Sequence, residues 1–316
     1  MLRMRKLRVS LIFASVVLLL IAGVGYCYDR LATSSEKAEY PFKGELVDLG
    51  SFRLHLYCIG AGQPTVLLDA GAFDSLEQWA LVQPQVAKFT KVCSYDRPGL
   101  GYSDPSPDPQ TSRNIAEELD EALVRAGISA PYLPVGHSIA GLYALVFASR
   151  FRDRVVGLVL EDSVHPNELK QFPTHFPNHP VLFTALRLTA PFGAARLFHI
   201  GCRQTGAHPD CSKFVVNLMR QMSVLRTSYA EAGEVTSLGR LPVVVITHDP
   251  HVGLSKIRNE REEEAWSQWQ EDLAKLSSRS SLVIVSGVGH EIQTEKPETL
   301  VNEIERLVMQ WRNLNE

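Results

Sequence analysis

Eight short runs of β-branched and other apolar residues alternate with segments of helical periodicity. That alternation restricts the body of the chain to a mostly parallel sheet covered by helices on both faces, an α/β fold. The predicted strands are 45–50 (ELVDLG), 53–60 (RLHLYCIG), 65–70 (TVLLDA), 91–96 (KVCSYD), 131–136 (PYLPVG), 155–162 (VVGLVLED), 241–249 (LPVVVITHD) and 281–287 (SLVIVSG). The first two are joined by a short turn at Gly50 and Ser51 and are expected to be antiparallel. Helical patterns at 78–89, 112–126, 139–151, 259–277 and 297–314 supply the crossovers that parallel strands need. From 164 to 238 no strand pattern occurs, and apolar residues recur at helical spacing in HPVLFTALRLTAPFGAARLFHI and KFVVNLMRQMSVL. This stretch reads as a helical cap inserted between core segments 45–163 and 239–316. It is expected over the C-terminal edge of the sheet, where open α/β sheets bind ligands.

The N-terminus is built differently. Residues 9–28 (VSLIFASVVLLLIAGVGYCY) contain no charged side chain, and a helix of that length crosses a bilayer core of about 30 Å. Residues 1–8 hold Arg3, Arg5, Lys6 and Arg8 and no acid, which orients the helix with its start in the cytoplasm and the body outside, periplasmic or extracellular. A signal anchor followed by a linker at 29–44 is favoured over a cleaved signal peptide with secretion of the body. The apolar run exceeds a typical signal core, and no clean small-residue cleavage motif follows. Without those four cations the formal charge of −3 becomes −7, and an acidic body has no general attraction for nucleic acid.

Five cysteines are too few for a disulfide framework. Cys58 and Cys93 fall in strand runs and read as small buried apolar residues. Cys202 and Cys211 bracket the polar loop GCRQTGAHPDC, where a disulfide and free thiols both remain open.

The chemistry concentrates at predicted strand ends. PVGHSIAG puts Ser138 in a strand-to-helix turn between Gly136 and Ala140-Gly141, small neighbours that let a serine sit in a sharp, strained elbow with its hydroxyl exposed. The alternative is an ordinary helix N-cap. A serine nucleophile needs a base, and His290 in SGVGHEIQ, after the last strand and before the last helix, is the best placed of ten histidines. A carboxylate must hold the imidazole. Asp249 at the end of the seventh strand is favoured, and Asp162 at the end of the sixth gives the same order in the chain. The oxyanion requires two backbone N–H donors, assigned to Ile139 and, in LLDAGAFDS, to Ala72. His248 and His251 beside Asp249 suggest a metal, but no further carboxylate or cysteine cluster joins them, and no metal or cofactor is expected.

Together, GHSIAG, VGHEIQ and SYDRPGLGYSDPSP (94–107) resemble the motifs of the α/β-hydrolase fold superfamily, in its compact esterase, peptidase and haloperoxidase-like branch, from about residue 45 to 314. The third run is similar to the family's D-R-x-G-x-G-x-S segment, which the resemblance implies braces the site from below. Two departures stand out. Ala70-Gly71 replaces the usual His-Gly of the oxyanion loop, and His290 follows Asp249 by 41 positions, accommodating a helix with Trp266, Trp269, Leu273 and Leu276 on one packing face. That added length keeps Asp162 in contention.

The sequence therefore leads to the expectation of a membrane-anchored serine hydrolase acting on a small, partly hydrophobic carboxylic ester. An amidase or peptidase, an acyltransferase and a cofactor-free haloperoxidase are alternatives on the same fold. A non-catalytic ligand-binding or receptor protein is the alternative from another class.

Overall fold

The computed structural model describes residues 2–39, 41–72, 74–173, 180–197, 210–252 and 259–315. They fall into two compact units, residues 1–42 with 178–219, and residues 43–177 with 220–316. The strands are β1 (Glu45–Asp48), β2 (Arg53–Ile59), β3 (Thr65–Asp69), β4 (Val92–Asp96), β5 (Tyr132–His137), β6 (Leu158–Glu161), β7 (Val243–His248) and β8 (Ser280–Val285). The principal helices are α1 (Leu2–Glu39), α2 (Ser112–Arg125), α3 (Ala140–Arg150), α4 (Pro180–Thr189), α5 (Ala194–Leu197), α6 (Cys211–Gly233), α7 (Glu260–Ala274) and α8 (Pro297–Asn313).

The larger unit is one eight-stranded sheet in the order β1-β2-β4-β3-β5-β6-β7-β8. β1 and β2 pair antiparallel, as do β2 and β4, and every pair from β4 onward across the sheet is parallel. Alternation along the strands feeds two cores. Val243 and Val245 join Trp266 and Leu273 on one face, whereas Val244 and Ile246 join Leu300 and Ile304 on the other. All eight expected strands are present. The helix expected at 78–89 is instead a 3-10 turn, Leu76–Trp79, and a single α-turn, Gln83–Val86. Pro84, which lacks an N–H and whose ring clashes with the preceding turn, prevents one continuous helix.

Three expectations are corrected. First, Cys58 and Cys93 are not isolated apolar residues. They are direct partners in the antiparallel β2–β4 register and form a disulfide. Cys211 is also disulfide-bonded, and Cys27 is an exposed free thiol. Cys202 lies outside the described residues. Second, the cap expected as a single body at 164–238 is divided: 178–219 belong with the N-terminal segment, and 164–177 and 220–238 with the sheet. Third, the linker expected at 29–44 is helical as far as Glu39.

The smaller unit explains that helical extension. In α1, Asp29 and Thr33 are buried, and both bond Arg196: the guanidinium donates to Asp29 Oδ1 and Thr33 Oγ1, each at 2.8 Å. Ser212 Oγ donates to Asp29 Oδ2 at 2.8 Å. A buried ion pair whose remaining oxygens are also bonded keeps this stretch of α1 ordered.

Candidate active site

Ser138 stands in the turn between β5 and α3 with φ of 55°. L-residues adopt this left-handed conformation rarely, and only where the surroundings over-determine it. The determinants are visible. Ser138 N–H donates to Glu161 O at 3.0 Å, and Ser138 O accepts from Gly141 and Val164 N–H at 3.1 Å each. The small flanking residues are required by contact: a Cβ on Gly136 would lie 2.5 Å from Ala140 O, and one on Gly141 would lie 2.3 Å from Ser163 Oγ. This is the elbow the sequence predicts.

Asp162 is the only other non-glycine residue with positive φ among those described, at 41°. That turn at the end of β6 carries a fully buried carboxylate toward His290, whose Nδ1 lies 2.5 Å from Asp162 Oδ2. The favoured acid, Asp249, is elsewhere: its carboxylate accepts Gly287 N–H at 3.0 Å and His251 N–H at 2.9 Å, tying the β7 loop to the turn after β8. Those two amides lower its pKa. Asp162 rather than Asp249 is therefore the partner of His290.

Several residues that sequence reasoning missed surround Asp162. Oδ1 accepts from Thr247 Oγ1 at 2.8 Å, His248 N–H at 3.1 Å and Trp266 Nε1 at 3.1 Å. His248 Nδ1 is 2.8 Å from both Asp162 oxygens, and its Nε2 is 2.6 Å from Glu263 Oε1. With a carboxylate at each ring nitrogen, His248 donates from both as an imidazolium. Burial opposes that charge, but Asp162 and Glu263 outweigh it and raise the pKa of His248. Burial likewise opposes ionisation of Asp162, yet its His248 and His290 donors hold the carboxyl well below the usual carboxylate range. The available sequence signals were Thr247-His248 at the end of β7 and the i, i+3 spacing of Glu263 and Trp266 on α7, which turns Glu263 to His248 and Trp266 to Asp162.

His137, preceding the serine, does not act through the same atoms. Its Nε2 donates to His290 O at 3.1 Å, and Gln78 Nε2 donates to its Nδ1 at 3.1 Å, which fixes a neutral ring and seats the His290 backbone beside the elbow. Burial, then the neighbouring His290, pushes His137 down to about 4. Gln78, also unforeseen, further donates to Asp74 at 2.9 Å and Glu291 at 3.3 Å and accepts Gly71 N–H at 2.8 Å. Burial, then Glu291, raises Asp74 to about 6.

The loop after β3 is held by Arg97, itself 2% exposed. Its guanidinium donates to Asp69 Oδ1 at 2.5 Å, to Ala70 O, and to Gly71 O at 2.5 Å. Across a trans peptide the carbonyl and the next N–H point in opposite directions. Pulling the Gly71 carbonyl onto Arg97 thus turns the Ala72 N–H away from the guanidinium. Neither Ala72 N–H nor Ile139 N–H donates to another protein group among the described residues. Arg97 belongs to the 94–107 run, and the same run contributes Asp96, which accepts His55 Nδ1 at 2.7 Å and Leu76 N–H at 2.9 Å.

His137, His290 and Glu291 offer donor atoms within 4.8 Å of one another. The ring nitrogens of His137 are taken by Gln78 and a carbonyl, and Nδ1 of His290 by Asp162. His248 faces two carboxylates as a cation, so it offers no lone pair to a metal beside Asp249.

Comparison with known proteins places the chain in a family. Residues 65–303 match the model of the alpha/beta hydrolase family, and the chain belongs to that family. An uncharacterised protein of Schizosaccharomyces pombe is 29% identical over 282 residues, 76% of this chain and 50% of the relative. The chain spans about half the length of the first curated relatives it matches. Among solved structures, the enol-lactonase of Burkholderia xenovorans superposes with a TM-score of 0.60 at 16% identity, covering 84% of this chain and 100% of that one. A thermophilic esterase of Thermogutta terrifontis gives 0.57 at 19% identity, covering 84% and 97%. At these identities the likeness is one of fold.

Proposed function

We propose that this hydrolase cleaves a small, partly hydrophobic carboxylic ester through an acyl-enzyme on Ser138. The observation that carries the proposal is the left-handed Ser138 elbow, whose preceding residue His137 contacts His290 at 3.1 Å, together with a His290 Nδ1 held by buried, ionised Asp162. With Nδ1–H committed to Asp162, Nε2 is the ring atom left with a lone pair, the form required of a general base. In the proposed reaction Ser138 Oγ bonds the acyl carbon as its proton passes to His290 Nε2. The negative oxygen is stabilised by the Ile139 and Ala72 N–H groups, the latter aimed by the Arg97 clamp. The C–O bond to the alcohol then breaks as His290 returns the proton to the departing oxygen. Water, deprotonated by the same nitrogen, attacks the acyl carbon; the bond from that carbon to Ser138 Oγ breaks as His290 returns the proton to Oγ, releasing the acid.

The anchor is part of the proposal. Helix α1 includes an apolar window long enough to cross a membrane, and its later residues Asp29 and Thr33 are built into the smaller unit through Arg196, which supports retention rather than cleavage. Four N-terminal cations favour a body outside the cytoplasm, and the Cys58–Cys93 disulfide fits an oxidising compartment. The test is hydrolysis of matched p-nitrophenyl esters and p-nitroanilides by the full-length protein in detergent. Ester turnover that falls by about 10³-fold or more in Ser138→Ala supports the reading. Turnover unchanged by that substitution, or confined to anilides, contradicts it.

A further inference from the structure

The α4–α5 segment of the smaller unit is seated at its turn and in α5, where Ala190, Ala195 and Arg196 are buried. Apolar side chains before and after them stand exposed: Val181 is 83% exposed, Leu188 65% and Leu197 72%, with Phe192 half exposed as well. Val181 and Leu188 are seven residues apart and share one face of α4.

The depth of this segment along α1 is fixed by contact. Gly25 permits it: a Cβ there would lie 2.1 Å from Phe192 O, and one on Gly193 would lie 2.9 Å from Gly25 O. Gly25 is three residues before Tyr28, where the uncharged run ends, which is about 5 Å along a helix. One turn further, Asp29 and Thr33 hold Arg196 of α5. The exposed Arg30 donates to Tyr26 Oη at 3.2 Å and lies over its ring, the pairing of cation and aromatic suited to a membrane–water boundary. The turn between α4 and α5 is therefore clamped to α1 where the apolar run gives way to charge.

We propose that α4–α5 is a membrane-surface element: its exposed Val181, Leu188, Phe192 and Leu197 insert among the acyl chains of the leaflet that holds the C-terminal end of the α1 span. The inference rests on the reading of residues 9–28 as a retained anchor. Lipid is the occupant because the span continues directly into the contact at Gly25, at the depth of roughly 5–10 Å into the headgroup and acyl boundary where interfacial helices lie.

The test uses the full-length protein in phosphatidylcholine vesicles containing a phosphatidylcholine with a diazirine on its acyl chain. After irradiation, adducts are mapped by peptide mass spectrometry. Lipid adducts within both 9–28 and 181–197 are expected. Adducts in 9–28 with none in 181–197 overturn the proposal while leaving the anchor standing. Adducts in neither segment overturn the anchor, and the proposal with it.

Discussion

His290 Nδ1 lies 2.5 Å from Asp162 Oδ2, and the other oxygen of that carboxylate accepts from Thr247, His248 and Trp266. The carboxylate is thus held through both oxygens, with Oδ2 presented to the His290 ring as well as to His248. Asp162→Asn should lower kcat on an ester by about 10³–10⁴-fold, because an amide holds the ring less reliably in the needed tautomer and does not balance its charge. Asp249→Asn should stay within a few-fold of the parent, since its oxygens serve the backbone of Gly287 and His251. Steady-state kinetics of the two variants on one substrate, with circular dichroism to confirm folding, decides between the carboxylates. Equal losses would contradict the assignment.

How much of this was legible beforehand is clearest at those same two aspartates. LVLED and VVITHD both end a strand in an acid at the right place in the chain, and linear spacing cannot separate them. What separates them is the backbone of Asp162, turned to φ 41° with its N–H on Ile246 O, which is a property of two adjoining strands, β6 and β7. The eight strands themselves were legible because their apolar, β-branched residues feed two cores at once. The Cys58–Cys93 bond was not, because it requires knowing that β4, and not β3, lies beside β2. The Ser138 elbow was legible because its small flanking residues are a local steric necessity. Gln78, His248 and Glu263 were not, because each acts across elements distant in sequence.

Arg97 ties Asp69 to the carbonyls of Ala70 and Gly71, so its loss should act on both fold and turnover. Arg97→Met leaves Asp69 buried without its cation, and breaking such a pair costs about 3–5 kcal/mol. Arg97→Lys keeps a charge but not a fork that reaches three acceptors. It should fold and yet lose about 10–100-fold in kcat with a smaller change in KM, since a misaimed Ala72 N–H matters most when the oxyanion forms. Melting curves and kinetics on the lysine variant are the check; full activity would show that the clamp does not position the loop.

Glu118 is buried against Ser106 Oγ at 2.5 Å and Gln110 Nε2 at 3.3 Å, and burial raises its pKa to about 7. A carboxyl whose folded pKa lies above its unfolded value of 4.5 favours the fold fully at pH below 4.5, and that advantage is lost as pH rises through about 7. The full difference is about 3 kcal/mol. Glu118→Gln should remove this slope and melt several degrees above the parent at pH 8.5, read from melting temperatures between pH 5 and 9. A parent whose stability is flat across that range would contradict the protonated state.

The Cys58–Cys93 disulfide closes a loop with a sequence separation of 35 residues between β2 and β4. On the chain-entropy account such a link contributes about 4 kcal/mol. The double variant Cys58→Ser and Cys93→Ser should therefore unfold at lower denaturant, with ester turnover at low temperature retained because neither cysteine adjoins Ser138 or His290. Equilibrium urea titration of parent and variant measures the difference.

The central claim is that Ser138 is the nucleophile. It is tested most directly by treating the full-length protein with a fluorophosphonate and locating the adduct by peptide mass spectrometry. The account predicts one covalent adduct, on Ser138, and none in Ser138→Ala. An adduct on another serine, or an unmodified Ser138 in protein that still turns over ester, would contradict it.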